Sequence, residues 1–148
     1  MATNEIIKPY VIGLDLGGTN SVFGIVDSRG EIKATTAIKT QGYEKVEDYV
    51  NAAVEALNII IDQVGGIDTI KAMGIGAPNG NYYTGTIEFA PNLSWGHSGI
   101  VPLAEMFSKR LGGIPVGLTA LGAWGVVDRG WFHKRRMAVR KQFLRWHT

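Results

Sequence analysis

A chain of 148 residues has room for one domain with a sizeable core and little more. The absence of cysteine excludes a disulfide framework and a thiolate zinc site, and no stretch approaches the roughly 18 apolar residues of a membrane helix. The net charge of +2 conceals a split: residues 1–118 carry 8 Lys and Arg against 12 Asp and Glu, whereas residues 119–148 carry 7 against 1.

No basic flank leads into an apolar run at the start, so a cytoplasmic protein without a membrane partner is expected. Residues 9–14 read as a short apolar strand and residues 21–27 as a second, joined through Asp15-Leu16-Gly17-Gly18-Thr19-Asn20. Adjacent glycines let a backbone approach a ligand and take dihedrals that a side chain forbids. Successive N–H groups in such a turn form a concave anion site, and Asp15 at the strand end suits a magnesium ion held through water. A nucleotide phosphate is the natural ligand; an ordinary Gly-rich hairpin turn is the competing reading.

Ser28-Arg29-Gly30 forms a turn, and residues 32–38, rich in β-branched side chains, form a third strand. Over residues 43–64, Val46, Tyr49, Val50, Ala53, Val54, Leu57, Ile60, Ile61 and Val64 recur at helical spacing, and Gly65-Gly66 ends that helix. Residues 69–76 read as a buried strand of the parallel type, entering Ala77-Pro78-Asn79-Gly80. A short hairpin over 82–89 and irregular chain over 90–95 follow. A second helix spans 101–111 and ends at Gly112-Gly113, and residues 114–119 form the last strand. The order βββαβαβ is that of a ribonuclease H-like α/β fold, a mixed sheet with helices packed on its faces.

Asn79 and Gly80 lie at a strand end, where open α/β sheets bind ligands, and Asn92 is a second amide on an irregular segment. An Asn amide offers donor and acceptor to neighbouring hydroxyls, and a tryptophan face such as Trp95 covers the apolar side of a sugar ring. Each of these taken alone reads first as a turn residue, and Asn-Gly is a common turn dipeptide in any chain.

Taken in order, Asp15-Leu16-Gly17-Gly18-Thr19-Asn20, Gly76-Ala77-Pro78-Asn79-Gly80, Pro91-Asn92-Leu93-Ser94-Trp95 and Gly113-Ile114-Pro115-Val116 resemble the amino-terminal lobe of ROK-family sugar kinases. The resemblance covers about residues 8–119 and is to members of bacterial glucokinase type, within the actin-like ATPase superfamily. It implies transfer of the ATP γ-phosphoryl group to a hexose hydroxyl, with glucose the expected substrate and magnesium the expected cofactor. It makes Asp15, Gly17, Gly18 and Thr19 phosphate-side candidates, with Asp15 the magnesium candidate. Asn79, Gly80 and Asn92 become sugar-side candidates.

The chain departs from the family just after the last strand. The expected Asn-Asp pair, whose Asp is the base, is replaced by Ala120-Leu121-Gly122, so no catalytic residue is assigned. The family's second lobe, with its zinc cluster and adenine pocket, has no counterpart here. The expectation is a lobe over 1–119, inactive alone as a kinase, with uncovered faces that could drive homo-oligomerisation.

Residues 120–148 hold Trp124, Trp131 and Trp146 among clustered cations and match nothing in the family. Three readings stay open: a tail for nucleic acid or anionic membrane, a last helix packed on the sheet, and out-of-frame translation from near residue 119, which is favoured. A ROK-type transcriptional regulator acting through this tail is the alternative function. Nucleic acid is otherwise not an expected partner.

Overall fold

The computed structural model describes residues 8–91, 93–96 and 99–119. Asn92, the tail over 120–148 and each reading of that tail lie outside the described residues.

Three strands open the chain: β1 (Tyr10–Leu16), β2 (Asn20–Asp27) and β3 (Ile32–Lys39). They form an antiparallel meander, with Gly13 opposite Gly24 and Ser21 opposite Ile38. Helix α1 (Val46–Gln63) follows, starting at the first residue of its apolar period and three residues after the expected range opens at 43. Lys45 is extended at its N-cap, and Glu47 and Asp48 place negative charge in the first turn, where the helix dipole favours it. Gly65 and Gly66 end it as expected, with φ of 114° and 101° and the Gly66 N–H donating to the Ile61 carbonyl at 2.9 Å.

A short 3-10 turn (Ile67–Thr69) leads into β4 (Ile70–Gly76), which runs parallel to β1. The last strand among the described residues, β8 (Val116–Thr119), runs parallel to β4 and completes a five-stranded sheet of order β3-β2-β1-β4-β8. The βββαβαβ reading therefore holds for the main sheet. Between β4 and the second helix the chain adds a small antiparallel sheet of β5 (Gly80–Asn81), β6 (Thr86–Glu88) and β7 (Ile100–Val101). The expected 82–89 hairpin is thus shifted: Tyr82–Gly85 is its turn, and the strands lie outside it. Helix α2 (Leu103–Arg110) starts after Pro102, because Val101 belongs to β7.

Both helices pack on one face of the main sheet. Tyr49, Leu57, Ile61, Leu103 and Phe107 share one buried cluster with Ile12, Leu14, Phe23, Ile25, Ile75 and Leu118. Alternation along the strands sends Gly24, Gly13, Gly74 and Gly117 to the opposite face, where register aligns them in one row. The parallel strands bring their carboxyl ends to one edge, with Asp15 beside Gly76 and Gly76 beside Thr119. In open α/β sheets that edge is where ligands bind.

Candidate functional site

The β1–β2 connection consists of Gly17, Gly18 and Thr19, closed by the Gly17 N–H donating to the Asn20 carbonyl at 2.9 Å. Gly17 is required here for space. A Cβ would stand 2.9 Å from the Asn20 carbonyl oxygen, whereas its φ lies outside the left-handed region, which corrects the expectation that unusual dihedrals explain it.

The loop's carbonyls are drawn toward the protein. The Thr19 carbonyl accepts from the Thr40 N–H at 2.8 Å, and the Gly18 carbonyl accepts from Gln41 Nε2 at 2.6 Å. The N–H groups of Gly18 and Thr19 have no acceptor among the described residues. A short loop with inward carbonyls and open amides presents a partial positive charge, the electrostatics of an anion cradle. Asp15, half-buried near the end of β1, places a carboxylate next to this loop. Among the described residues no three His, Cys, Asp or Glu converge on one point. Asp15, the metal candidate of the sequence reading, stands outside any such cluster.

On the neighbouring strand, β4 ends at Gly76 and the chain turns through buried Ala77 and half-buried Pro78 to exposed Asn79. Asn79 has φ of 55°, a left-handed backbone that Asn tolerates better than most residues. Its Nδ2 donates to the carbonyls of Glu88 at 3.0 Å and Phe89 at 3.1 Å. The Asn79 carbonyl accepts the Glu88 N–H at 3.1 Å. Asn79 thus holds the hairpin that begins at Gly80, and it fixes Phe89, whose φ of 50° is costly for a bulky side chain. Phe89 remains 57% exposed.

Asn92 is outside the described residues, but its flanks are anchored. Leu93 is fully buried, and its N–H donates to the Ala90 carbonyl at 3.2 Å. The Ser94 N–H donates to Gln41 Oε1 at 3.2 Å, and Trp95 Nε1 donates to the Thr40 carbonyl at 2.8 Å. Trp95 is only 8% exposed and stacks on Tyr49. Its ring is therefore part of the core, which corrects the expectation that it covers a sugar.

Beneath both segments lies a polar cluster with no local signature in the sequence. The Ser21 hydroxyl stands 2.7 Å from the hydroxyls of both Thr40 and Tyr49. Ser21 and Thr40 are fully buried, and so is Tyr49, whose phenol is pushed far above its ordinary pKa by burial, against the lowering effect of the Ser21 hydrogen bond. The one clue in the chain is a serine at an inward position of an otherwise apolar strand.

Residues 11–120 match the family model described as ROK family. A glucokinase of Streptomyces coelicolor is 34% identical over 119 residues, covering 77% of this chain and 34% of that enzyme. A glucomannokinase of Segatella bryantii is 95% identical over 22 residues, 15% of this chain and 88% of that sequence. Among solved structures, a ROK family glucokinase from Streptomyces griseus, in complex with glucose and AMPPNP, superposes with a TM-score of 0.64 at 30% identity, over 83% of this chain and 36% of that one. The chain therefore spans about a third of the length of the glucokinases it matches.

Proposed function

This chain belongs to the ROK family of sugar kinases and their relatives, and from that we propose that it supplies the phosphate-side and sugar-side walls of an ATP-dependent hexose kinase. The observation that carries the reading is the Gly17–Thr19 loop, its carbonyls tied inward to Thr40 and Gln41 and its Gly18 and Thr19 amides open. Likeness to glucokinases supports glucose as substrate, and the near-identical stretch of a glucomannokinase supports mannose beside it.

In this reading the open amides and the Thr19 hydroxyl bind the phosphates of ATP, and the Asp15 carboxylate orients water around a magnesium ion. That ion, when bound, neutralises charge on the transferring phosphoryl group. Asn79, Gly80 and Asn92 remain the sugar-side candidates, with the Asn79 Nδ2 already donated to the carbonyls of Glu88 and Phe89. The proton of the attacking hydroxyl needs a base, and no residue of 8–119 is assigned that role. The likeness to a structure holding an ATP analogue supports ATP as phosphoryl donor.

We further propose that the lobe covers residues 1–119, that the chain alone has negligible kinase activity, and that residues 120–148 are translated out of frame. Catalysis requires both substrates and the base held in near-attack geometry, and one wall of a cleft does not achieve that. Kinase-like sequence in another reading frame of the coding DNA after residue 119 is the expected result; its absence from both other frames contradicts the tail proposal.

The function is tested with a chimaera in which residues 8–119 replace the matching lobe of the Streptomyces coelicolor glucokinase. It is expected to form ADP in the presence of glucose and of mannose, while the present chain forms none. A folded chimaera inactive on every hexose contradicts the kinase reading, and hexose-dependent ADP formation by the chain alone contradicts the one-wall reading.

A further inference from the structure

We propose that Gln41 is a positioning residue that sets the spacing between the phosphate-side loop and the sugar-side segment. The inference rests on the reading of those two segments given above, but its geometry is independent of any ligand. Gln41 follows Thr40 at the end of β3, and its single amide group reaches both ways. Nε2 donates to the Gly18 carbonyl at 2.6 Å, and Oε1 accepts the Ser94 N–H at 3.2 Å. The two contacts span 23 and 53 residues of sequence, so nothing local brings these segments together.

The main chain of Thr40 makes a parallel connection. Its N–H donates to the Thr19 carbonyl at 2.8 Å, and its carbonyl accepts Trp95 Nε1 at 2.8 Å. Residues 40–41 therefore form a two-rung bridge, with one backbone rung that is insensitive to side-chain identity and one rung made wholly by Gln41. The Thr40 rung is buried and bolted to Ser21. The Gln41 rung lies nearer the surface, at the level of the Gly18 peptide and next to the open amides.

The consequence for the reaction is geometric. A phosphoryl group and an attacking hydroxyl must be held within a narrow range of separation, and a displacement of about 1 Å costs on the order of a hundredfold in rate. An amide side chain meets both requirements at once, because it carries a donor for a carbonyl and an acceptor for an N–H on one rigid plane. Asp or Glu supplies no donor at this site, and Lys supplies no acceptor.

The test is amide exchange and chemical shift in the full ¹⁵N-labelled chain without ligand, so that it does not depend on nucleotide or sugar binding. In Gln41→Ala and in the near-isosteric Gln41→Met, the Ser94 amide is expected to exchange about fivefold faster. The Thr19 amide, which shares a peptide group with the Gly18 carbonyl, is expected to shift, with helix α1 amides unchanged. Gly17→Ala, which forces the loop to move because of the 2.9 Å approach to Asn20, is expected to perturb the Ser94 amide with Gln41 present and to perturb it less in Gln41→Met, where only the Thr40 rung remains. A Ser94 response to Gly17→Ala that is equal in both backgrounds overturns the proposal, as does no response with Gln41 present. Should the coupling be found while Mg-ATP and glucose both fail to bind, the bridge stands and the kinase reading falls.

Discussion

Tyr49 stacks on Trp95 with ring centroids 4.6 Å apart and planes 21° from parallel, which joins helix α1 to the segment after Pro91. Tyr43 adds an edge-on contact to the same phenol ring at 5.6 Å. The segment after Pro91 is therefore held by the core itself, with Trp95 as its anchor.

Replacing Trp95 by Phe keeps an aromatic face against Tyr49 but leaves the buried Thr40 carbonyl without its indole donor. The expected cost is about 1–3 kcal/mol in urea unfolding, since an unsatisfied buried acceptor bears its full desolvation penalty. Trp95→Ala, which also removes the stack, is expected to cost about 3–5 kcal/mol. Variants as stable as the parent contradict the buried placement of this ring.

Ser21→Ala removes the one hydroxyl shared by Thr40 and Tyr49. Both partners then sit buried with a lost hydrogen bond, and a destabilisation of about 1–3 kcal/mol is expected in the same experiment. The double variant Ser21→Ala/Tyr49→Phe is expected to cost less than the sum of the singles, because the second change removes an orphaned group. Additive losses contradict a connected cluster.

The Tyr49 phenol also sets a pH dependence. Unfolded, it ionises near pH 10, whereas burial keeps it protonated to higher pH in the folded chain. Above about pH 10 the unfolded state binds fewer protons than the folded one, so stability falls by about 1.4 kcal/mol per pH unit until the folded phenol ionises. Below that pH both states are protonated and the group adds no slope. Stability against pH for the parent minus Tyr49→Phe is expected to be flat at neutral pH and to fall above pH 10. A difference that stays flat there contradicts the burial of the hydroxyl.

At Asn79 backbone and side chain separate cleanly. Asn79→Gly keeps the left-handed conformation and loses only the two Nδ2 bonds, whereas Asn79→Ala also strains the backbone. The alanine variant is expected to be less stable than the glycine variant by about 1 kcal/mol in thermal unfolding. The reverse order contradicts the φ of 55° at this position.

These positions show what the residue order can and cannot convey. The strands at Tyr10–Leu16 and Asn20–Asp27 and helix α1 are legible because each is long enough for a period to stand out, and Gly65-Gly66 marks the helix end by a backbone only glycine takes easily. The β5–β7 sheet is not legible, since strands of two or three residues carry no period and are made by tertiary pairing alone. Trp95 reads as a surface aromatic until Tyr49, 46 residues earlier, is brought against it. Gln41 reads as a polar residue before a glycine, because its two partners come from distant parts of the chain. The loop after β1 and the turn after β4 do reach one edge, as the parallel pairing of Asp15 with Gly76 requires.

The central claim, that one edge of this sheet forms the phosphate and hexose walls of a kinase, is tested most directly by calorimetric titration of Mg-ATP and of glucose into the purified chain, with Gly17→Ala as control. Saturable binding of Mg-ATP is expected, lost in Gly17→Ala, whose Cβ would stand 2.9 Å from the Asn20 carbonyl oxygen, while glucose binding is retained. A cooperatively folded chain that binds neither ligand, or a Gly17→Ala protein that binds Mg-ATP as well as the parent does, would contradict that claim.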